Sequence, residues 1–308
     1  MIPIVTSLAP RIERSIMTAE DVGHAYQHQC IQSWRDSGFE VISVNAADEI
    51  ATLSRLYPDM TFVAAKKDGR VEYGKPLVPV GELVDALAMT GRPIGGIINS
   101  DILLRASPDL ASRVAEAASD GLAYCKRHEG DVPDSRVGYR YTYGFDAFFF
   151  DVSAIADVNF EPFVLGVPWW DYLFPLEFIM AGRPVGEIVD PIARHLTHPI
   201  KWDIERWRSL HGVMRQKFES QLLRYCREPG REFEPIVLYG LAQGGHFMRY
   251  YSDQSRWQNL NATDQLKSVD LDNHITAYAY FILEFISGMS KNISLGPPSR
   301  TSHEGDGV

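Results

Sequence analysis

Apolar positions in the first hundred residues alternate between a strand-like and a helix-like period. Ile2–Ser7 is a short β-rich run, and Phe39–Val44 (FEVISV) is apolar without alternation, the mark of a strand buried on both faces. Between them, Tyr26, Cys30, Ile31 and Trp34 fall on one face of a helix over His24–Asp36, which Gly38 ends. Asp48 is placed to cap a helix running to Leu56, stopped before Pro58. Met60–Ala65 reads as a third strand, and Val80–Met89 as a helix with Leu83, Val84 and Leu87 on one side. Pro93–Ile98 (PIGGII) is a fourth strand that runs into Asn99-Ser100-Asp101. This order predicts an α/β fold with a mostly parallel, Rossmann-like central sheet and helices on both faces.

Further along the pattern changes. Gly121–Arg127 and Phe145–Asp151 read as strands joined by a polar loop, Ser107–Ala118 and Trp169–Ala181 as helices, and Val185–Val189 as a strand followed by an extended run to His198. Ile204–Arg227 and Leu271–Met289 read as further helices, and Pro297–Val308 is small and polar. The expected organisation is one α/β domain over 1–203, a helical extension over 204–296 and a disordered tail over 297–308.

Composition adds boundaries. The 308 residues are 45% hydrophobic and 23% charged, which excludes a disordered or fibrous chain. Thirty basic against forty acidic residues give a net charge of −10 without a basic block, so nucleic acid is not an expected partner. Cys30, Cys125 and Cys226 are too sparse for a disulfide framework or a structural zinc site and point to a reducing compartment. Arg11, Glu13 and Arg14 follow the N-terminal strand too soon for a signal-peptide core, and Ile275–Met289 is short and broken by Glu284. A cytoplasmic protein without a transmembrane segment is expected, with contact to a membrane surface left open.

Three groups carry candidate chemistry. Asp101 lies just past a strand end, where open parallel sheets bind ligands, and one carboxylate with diphosphate oxygens and water can hold Mg²⁺ or Mn²⁺. It can equally start a turn or cap the next helix. In Arg194-His195-Leu196-Thr197-His198, side chains on a strand alternate, so the two histidines three apart should not face the same way. His198, at the segment end, is better placed to reach a metal, with His195 packing. Lys201 is a neighbouring cation for a phosphate. In Trp169-Trp170-Asp171, the paired rings can stack on a sugar and Asp171 can accept a proton, or the same residues can cap a helix and fill the core.

The order of these parts (a Thr6-Ser7 strand end, alternating α/β units, Asn99-Ser100-Asp101, a Trp-Trp-Asp helix and a late histidine) resembles the GT-A glycosyltransferases over roughly residues 2–202. These are nucleotide-diphospho-sugar transferases with an aspartate-containing metal motif, whose first aspartate is replaced here by Asn99. The resemblance implies transfer of a sugar from a nucleoside diphosphate sugar to a glycan, lipid-linked or small-molecule hydroxyl acceptor. It implies Mn²⁺ or Mg²⁺ on Asp101, completed by His198 or alternatively His195, with Asn99 at the ribose or the ion's waters. Thr6, Ser7, Arg11 and Asn45 match nucleoside-side positions, and Asp171 matches the acceptor-side base of inverting members. Lys66, Lys67, Arg70 and Lys75 form a basic loop that can approach a phosphate or be solvated.

Other classes fit less well. A nucleotidyltransferase carries a glycine-rich basic loop after its first strand, and Ser7–Arg14 has no glycine. Neither Gly-x-Gly-x-x-Gly after an early strand nor Gly-x-Ser-x-Gly occurs. The missing first aspartate favours one non-enzymatic alternative, a nucleotide- or carbohydrate-binding protein on the same scaffold.

Overall fold

The computed structural model describes residues 1–14, 21–131, 138–198, 203–225 and 262–296. Lys201 and the tail over 297–308 lie outside them. The chain opens with β1 (Ile2–Thr6), α1 (Gly23–Asp36), β2 (Phe39–Asn45), α2 (Ala47–Leu56), β3 (Thr61–Ala64), the single turn α3 (Arg70–Tyr73), α4 (Val80–Met89) and β4 (Ile94–Ile98). It continues through β5 (Ile102–Leu104), α5 (Leu110–Ala117), β6 (Leu122–Cys125), β7 (His128–Gly130), β8 (Tyr139–Arg140) and β9 (Ala147–Asp151). Last come α6 (Trp170–Met180), β10 (Val185–Ile188), β11 (Ala193–Leu196), α7 (Ile204–Tyr225), α8 (Ala262–Met289) and β12 (Lys291–Ile293).

Eight strands form the main sheet in the order β12-β10-β6-β9-β4-β1-β2-β3. All its pairings are parallel except those of β9, which runs antiparallel to both β4 and β6. The sheet is therefore mixed but mostly parallel, as the α/β pattern requires. Gly96 lets β4 pass between β1 and β9, because a Cβ there would lie 2.7 Å from the Phe148 carbonyl oxygen.

The sheet separates two apolar layers. Ile4, Val41 and Ile98 face α1 and α5 through Trp34, Leu110 and Val114. Val5, Val44 and Ile97 face α4 and α6 through Leu83, Leu87 and Phe174. Leu210, Met214 and Phe218 of α7 and Ile275, Ile282 and Ile286 of α8 join this second layer. No helix among the described residues is long and apolar enough to cross a membrane.

Two local expectations need correction. Asp48 does not cap α2: Ala46 occupies that position, and Asp48 and Glu49 fall in the first turn, where a negative charge still opposes the helix dipole favourably. The chain also folds a second sheet, β5-β11-β7-β8, that the hydrophobic pattern did not reveal. Its strands are two to four residues long and mix charged with apolar positions.

Candidate active site

The parallel strands β1, β2, β4 and β6 all end at one edge of the sheet, and the antiparallel β9 begins there. Asn99 follows β4 and ties this edge together. Its backbone N–H donates to the Asp146 carbonyl at 2.9 Å, and its side-chain amide donates to the Asp146 carboxylate at 2.7 Å. Asn99 thus binds protein rather than standing open as a ligand.

The small sheet then brings Asp101 and the histidines together. In its register, His195 of β11 lies opposite Ile102 of β5 on one side and Glu129 of β7 on the other. Its ring spans two carboxylates: Nδ1–H donates to Glu129 Oε2 at 2.8 Å, and Nε2–H faces Asp101 Oδ2 at 3.3 Å. His198 Nε2 also reaches Asp101 Oδ2, at 3.5 Å, and the two imidazoles stand 4.9 Å apart. The period-two argument against both histidines facing one way fails because β11 ends at Leu196; His198 is already off the strand. Asp101, His195 and His198 offer three ligand atoms within 4.8 Å of one another.

Arg14, Arg127, Glu129 and Asp146 complete the cluster, none of the four expected from the sequence. Arg14 Nη2 donates to Asp101 Oδ2 at 2.6 Å, and Arg14 is itself buried. Arg127 joins Glu129, at 2.6 Å, to both oxygens of Asp146, at 2.7 and 2.8 Å. Arg127 precedes β7 and Glu129 lies within it, so no strand alternation marks the pair in the sequence. Arg14 carried no signal, because its role depends on a contact across 87 residues.

Electrostatics follow from these contacts. Burial opposes ionisation of Asp101, but the His195 charge, the histidine hydrogen bonds and Arg14 outweigh it and hold the carboxyl well below its usual range. Burial likewise works against Glu129, and the His195 and Arg127 contacts still bring it to about 2. Burial lowers His195, yet Asp101 and the Glu129 bond raise it to about 9. Asp171 differs. Burial pushes its carboxyl up to about 7, with Asp146 adding repulsion and the Phe145 N–H, donating at 3.1 Å, only partly opposing.

The remaining candidates are mostly closed to ligands. Trp169 and Trp170 are 1% and 3% exposed, so neither offers a stacking face. Trp170 packs on Phe148, and Trp169 stacks on Trp207 while its indole N–H donates to the Trp207 carbonyl at 3.0 Å. Trp169 has φ 84°, a left-handed conformation costing about 1–3 kcal/mol for a non-glycine residue, and these contacts hold it there. Thr6 and Asn45 are fully buried. Asn45 donates to the Leu8 carbonyl at 2.8 Å and accepts from Ser43 Oγ at 2.6 Å, while Thr6 Oγ1 has no hydrogen-bond partner among the described residues. Ser7 is half-buried beside them, with Asn45 Nδ2 at a marginal 3.5 Å. Arg11 is on the surface, paired with Glu13 at 2.8 Å. In the basic loop, Lys66, Lys67 and Arg70 pair with Asp85, Glu161 and Asp48.

No protein-family model matches the chain, and no curated protein matches it by sequence. Solved structures do match. S. aureus TarS 1-349 in complex with UDP-GlcNAc is 11% identical, with a TM-score of 0.52, over 94% of this chain and 83% of that one. TarS 1-349 alone matches at 10% identity and a TM-score of 0.50, over 94% and 82%. The mannosyltransferase PcManGT of Pyrobaculum calidifontis, in complex with GDP-Man and Mn²⁺, covers 93% of this chain and 86% of its own at 13% identity. Its TM-score of 0.45 is too low to add to the assignment. The mostly parallel sheet, its antiparallel β9 and the TarS overlay agree: the chain has a GT-A-like fold.

Proposed function

We propose that this protein is a glycosyltransferase that moves a sugar from a nucleoside diphosphate sugar to a hydroxyl acceptor, using a divalent cation held by Asp101, His195 and His198. The observation that carries this reading is the meeting of one carboxylate and two imidazoles at the carboxyl edge of the sheet. The donor set fits a cation: Asp101 is held ionised, and an oxygen ligand with two imidazole nitrogens suits Mn²⁺ better than Mg²⁺. When bound, the ion supplies positive charge to the departing diphosphate.

The chain's own residues do the rest. Glu129 fixes the His195 ring so that Nε2 points at Asp101. His195 must surrender the proton that Asp101 and Glu129 now help it hold, so cation binding releases protons near neutral pH. Arg14 balances the Asp101 charge without a metal and becomes a candidate partner for the diphosphate once a cation takes that role. Asp171, with its carboxyl near 7, is suited to accept the acceptor's proton.

Thermal unfolding with UDP, GDP and their sugar conjugates, each with and without Mn²⁺, tests the reading. A ligand that binds only the folded state raises the melting temperature. The expected result is a Mn²⁺-dependent shift with one nucleotide family, lost in Asp101→Ala. No shift with any nucleotide at saturation overturns it. Asn99 in the first acidic position and the Arg14–Asp101 ion pair favour one second reading, a binding protein without turnover. Nucleotide binding with no release of nucleoside diphosphate from any donor and acceptor pair would select it.

A further inference from the structure

The connection between β8 and β9 presents rings to solvent. Tyr143 is 50% exposed, and Tyr280, on α8, is 45% exposed. Tyr143 meets Tyr141 edge to face at 5.6 Å on one side and Tyr280 at 5.4 Å on the other, so three rings from two distant segments form one row. The segment carrying Tyr141 and Tyr143 is tied down. Tyr172 Oη donates to the Tyr143 carbonyl at 2.6 Å, the Phe145 N–H donates to Asp171 Oδ2, and the Tyr141 N–H donates to the Arg127 carbonyl at 2.9 Å. The Arg127 guanidinium lies 4.0 Å from the centre of the Tyr141 ring. Gly144 packs closely on the same carboxylate, since a Cβ there would come within 2.8 Å of Asp171 Oδ2. Rings fixed in place while facing water bind a partner without a large ordering cost.

The row is continuous with the cluster around Asp101. Tyr141 touches Arg127, Arg127 grips Asp146, and Asp146 accepts from Asn99. It is also continuous with Asp171 through Gly144 and Phe145. We infer that Tyr141, Tyr143 and Tyr280 form the subsite for a saccharide acceptor, whose apolar C–H faces stack on the rings and whose hydroxyl is presented to Asp171. The inference rests on the transferase reading. Tyrosines suit a saccharide because each pairs an apolar face with a hydroxyl. It also gives α8 a part in the site, through Tyr280.

The test uses the full chain with Tyr143 and Tyr280 both changed to alanine, and separately both to phenylalanine, on an array of immobilised neutral glycans. Nucleotide-induced thermal shifts with Mn²⁺ are measured in parallel. The unmodified chain should retain one glycan class, the alanine pair should weaken it about ten-fold or more, and the phenylalanine pair should keep most of it. The nucleotide shifts should be unchanged in all three, which shows that the exposed substitutions leave the fold intact. Equal glycan binding by the alanine pair, or none by the unmodified chain, overturns the subsite. Loss of self-association in the alanine pair without loss of glycan binding also overturns it, by assigning the row to a second copy of the chain. Failure of the nucleotide shifts themselves sinks the transferase reading instead.

Discussion

Two aspartates flank the Asn99–Asp146 hydrogen bond, and their surroundings drive them in opposite directions. Asp101 faces Arg14, His195 and His198, all reaching one of its oxygens, and stays ionised despite burial. Asp171 faces a backbone N–H and the charge of Asp146, and burial raises it to about 7. The same side chain is thereby made into a fixed anion in one place and an exchangeable proton site in the other. Divided carboxylates of this kind are how a single site separates charge binding from proton transfer.

The comparison breaks most sharply at Asp101. Removing a residue that only orients a metal ligand costs about 10–100-fold in affinity, and Asp101→Ala removes a ligand outright, so Mn²⁺ affinity should fall by more than this. Titration followed by Mn²⁺ paramagnetic resonance reads it directly; unchanged affinity would place the ion elsewhere. On the other side, Asp171→Asn should lower turnover by about 10²–10⁴-fold while leaving the nucleotide thermal shift intact. On the transferase reading the rate of the unmodified protein should rise with pH through about 7 as Asp171 ionises, and the variant should lose that rise. A variant with full activity would leave Asp171 a purely structural group.

Glu129→Gln keeps a hydrogen bond to His195 but removes the charge, and should weaken Mn²⁺ binding by about 10–100-fold. Equal binding would make the Glu129 contact incidental. Stability gives the gentlest test, because the two carboxylates carry opposite signs. A folded value for Asp171 of about 7, above its unfolded 3.8, makes the protein more stable as pH falls from 7 towards 4. Glu129, lowered from 4.5 to about 2, contributes stability above 4.5 that is lost as pH falls through 2. Urea unfolding at pH 5 and pH 8 should show Asp171→Asn flattening the first trend; an unaltered slope would show that Asp171 is ionised throughout.

The sequence pattern disclosed the sheet better than the site. The strands β1, β2, β4 and β9 are apolar runs buried on both faces, a signal that needs no knowledge of neighbours. Asp101 is legible because it follows such a run, and Asp171 because it stands beside the paired tryptophans. The strands β7 and β11 read HEG and ARHL, too short and too polar for periodicity to mark, so Glu129 and the meeting of both histidines at Asp101 could not be read from the pattern. Trp169 and Trp170 looked like a ligand surface because paired tryptophans draw attention in either role, and only packing against Trp207 and Phe148 decides between them. Tyr139, Tyr141 and Tyr143 recur every second residue in a polar segment, but Tyr280 lies on a distant helix, so only the fold brings Tyr143 and Tyr280 together.

The span of the small sheet has a consequence for how the protein matures. Asp101 and His195 are 94 positions apart, and His195 lies between β5 and β7 only when all three strands have paired. A nascent chain that has not yet delivered β11 holds one of the three side chains of the proposed cation site. On that reading a cation would be captured only after the last strand of the small sheet has docked, which would make its binding a clock for synthesis.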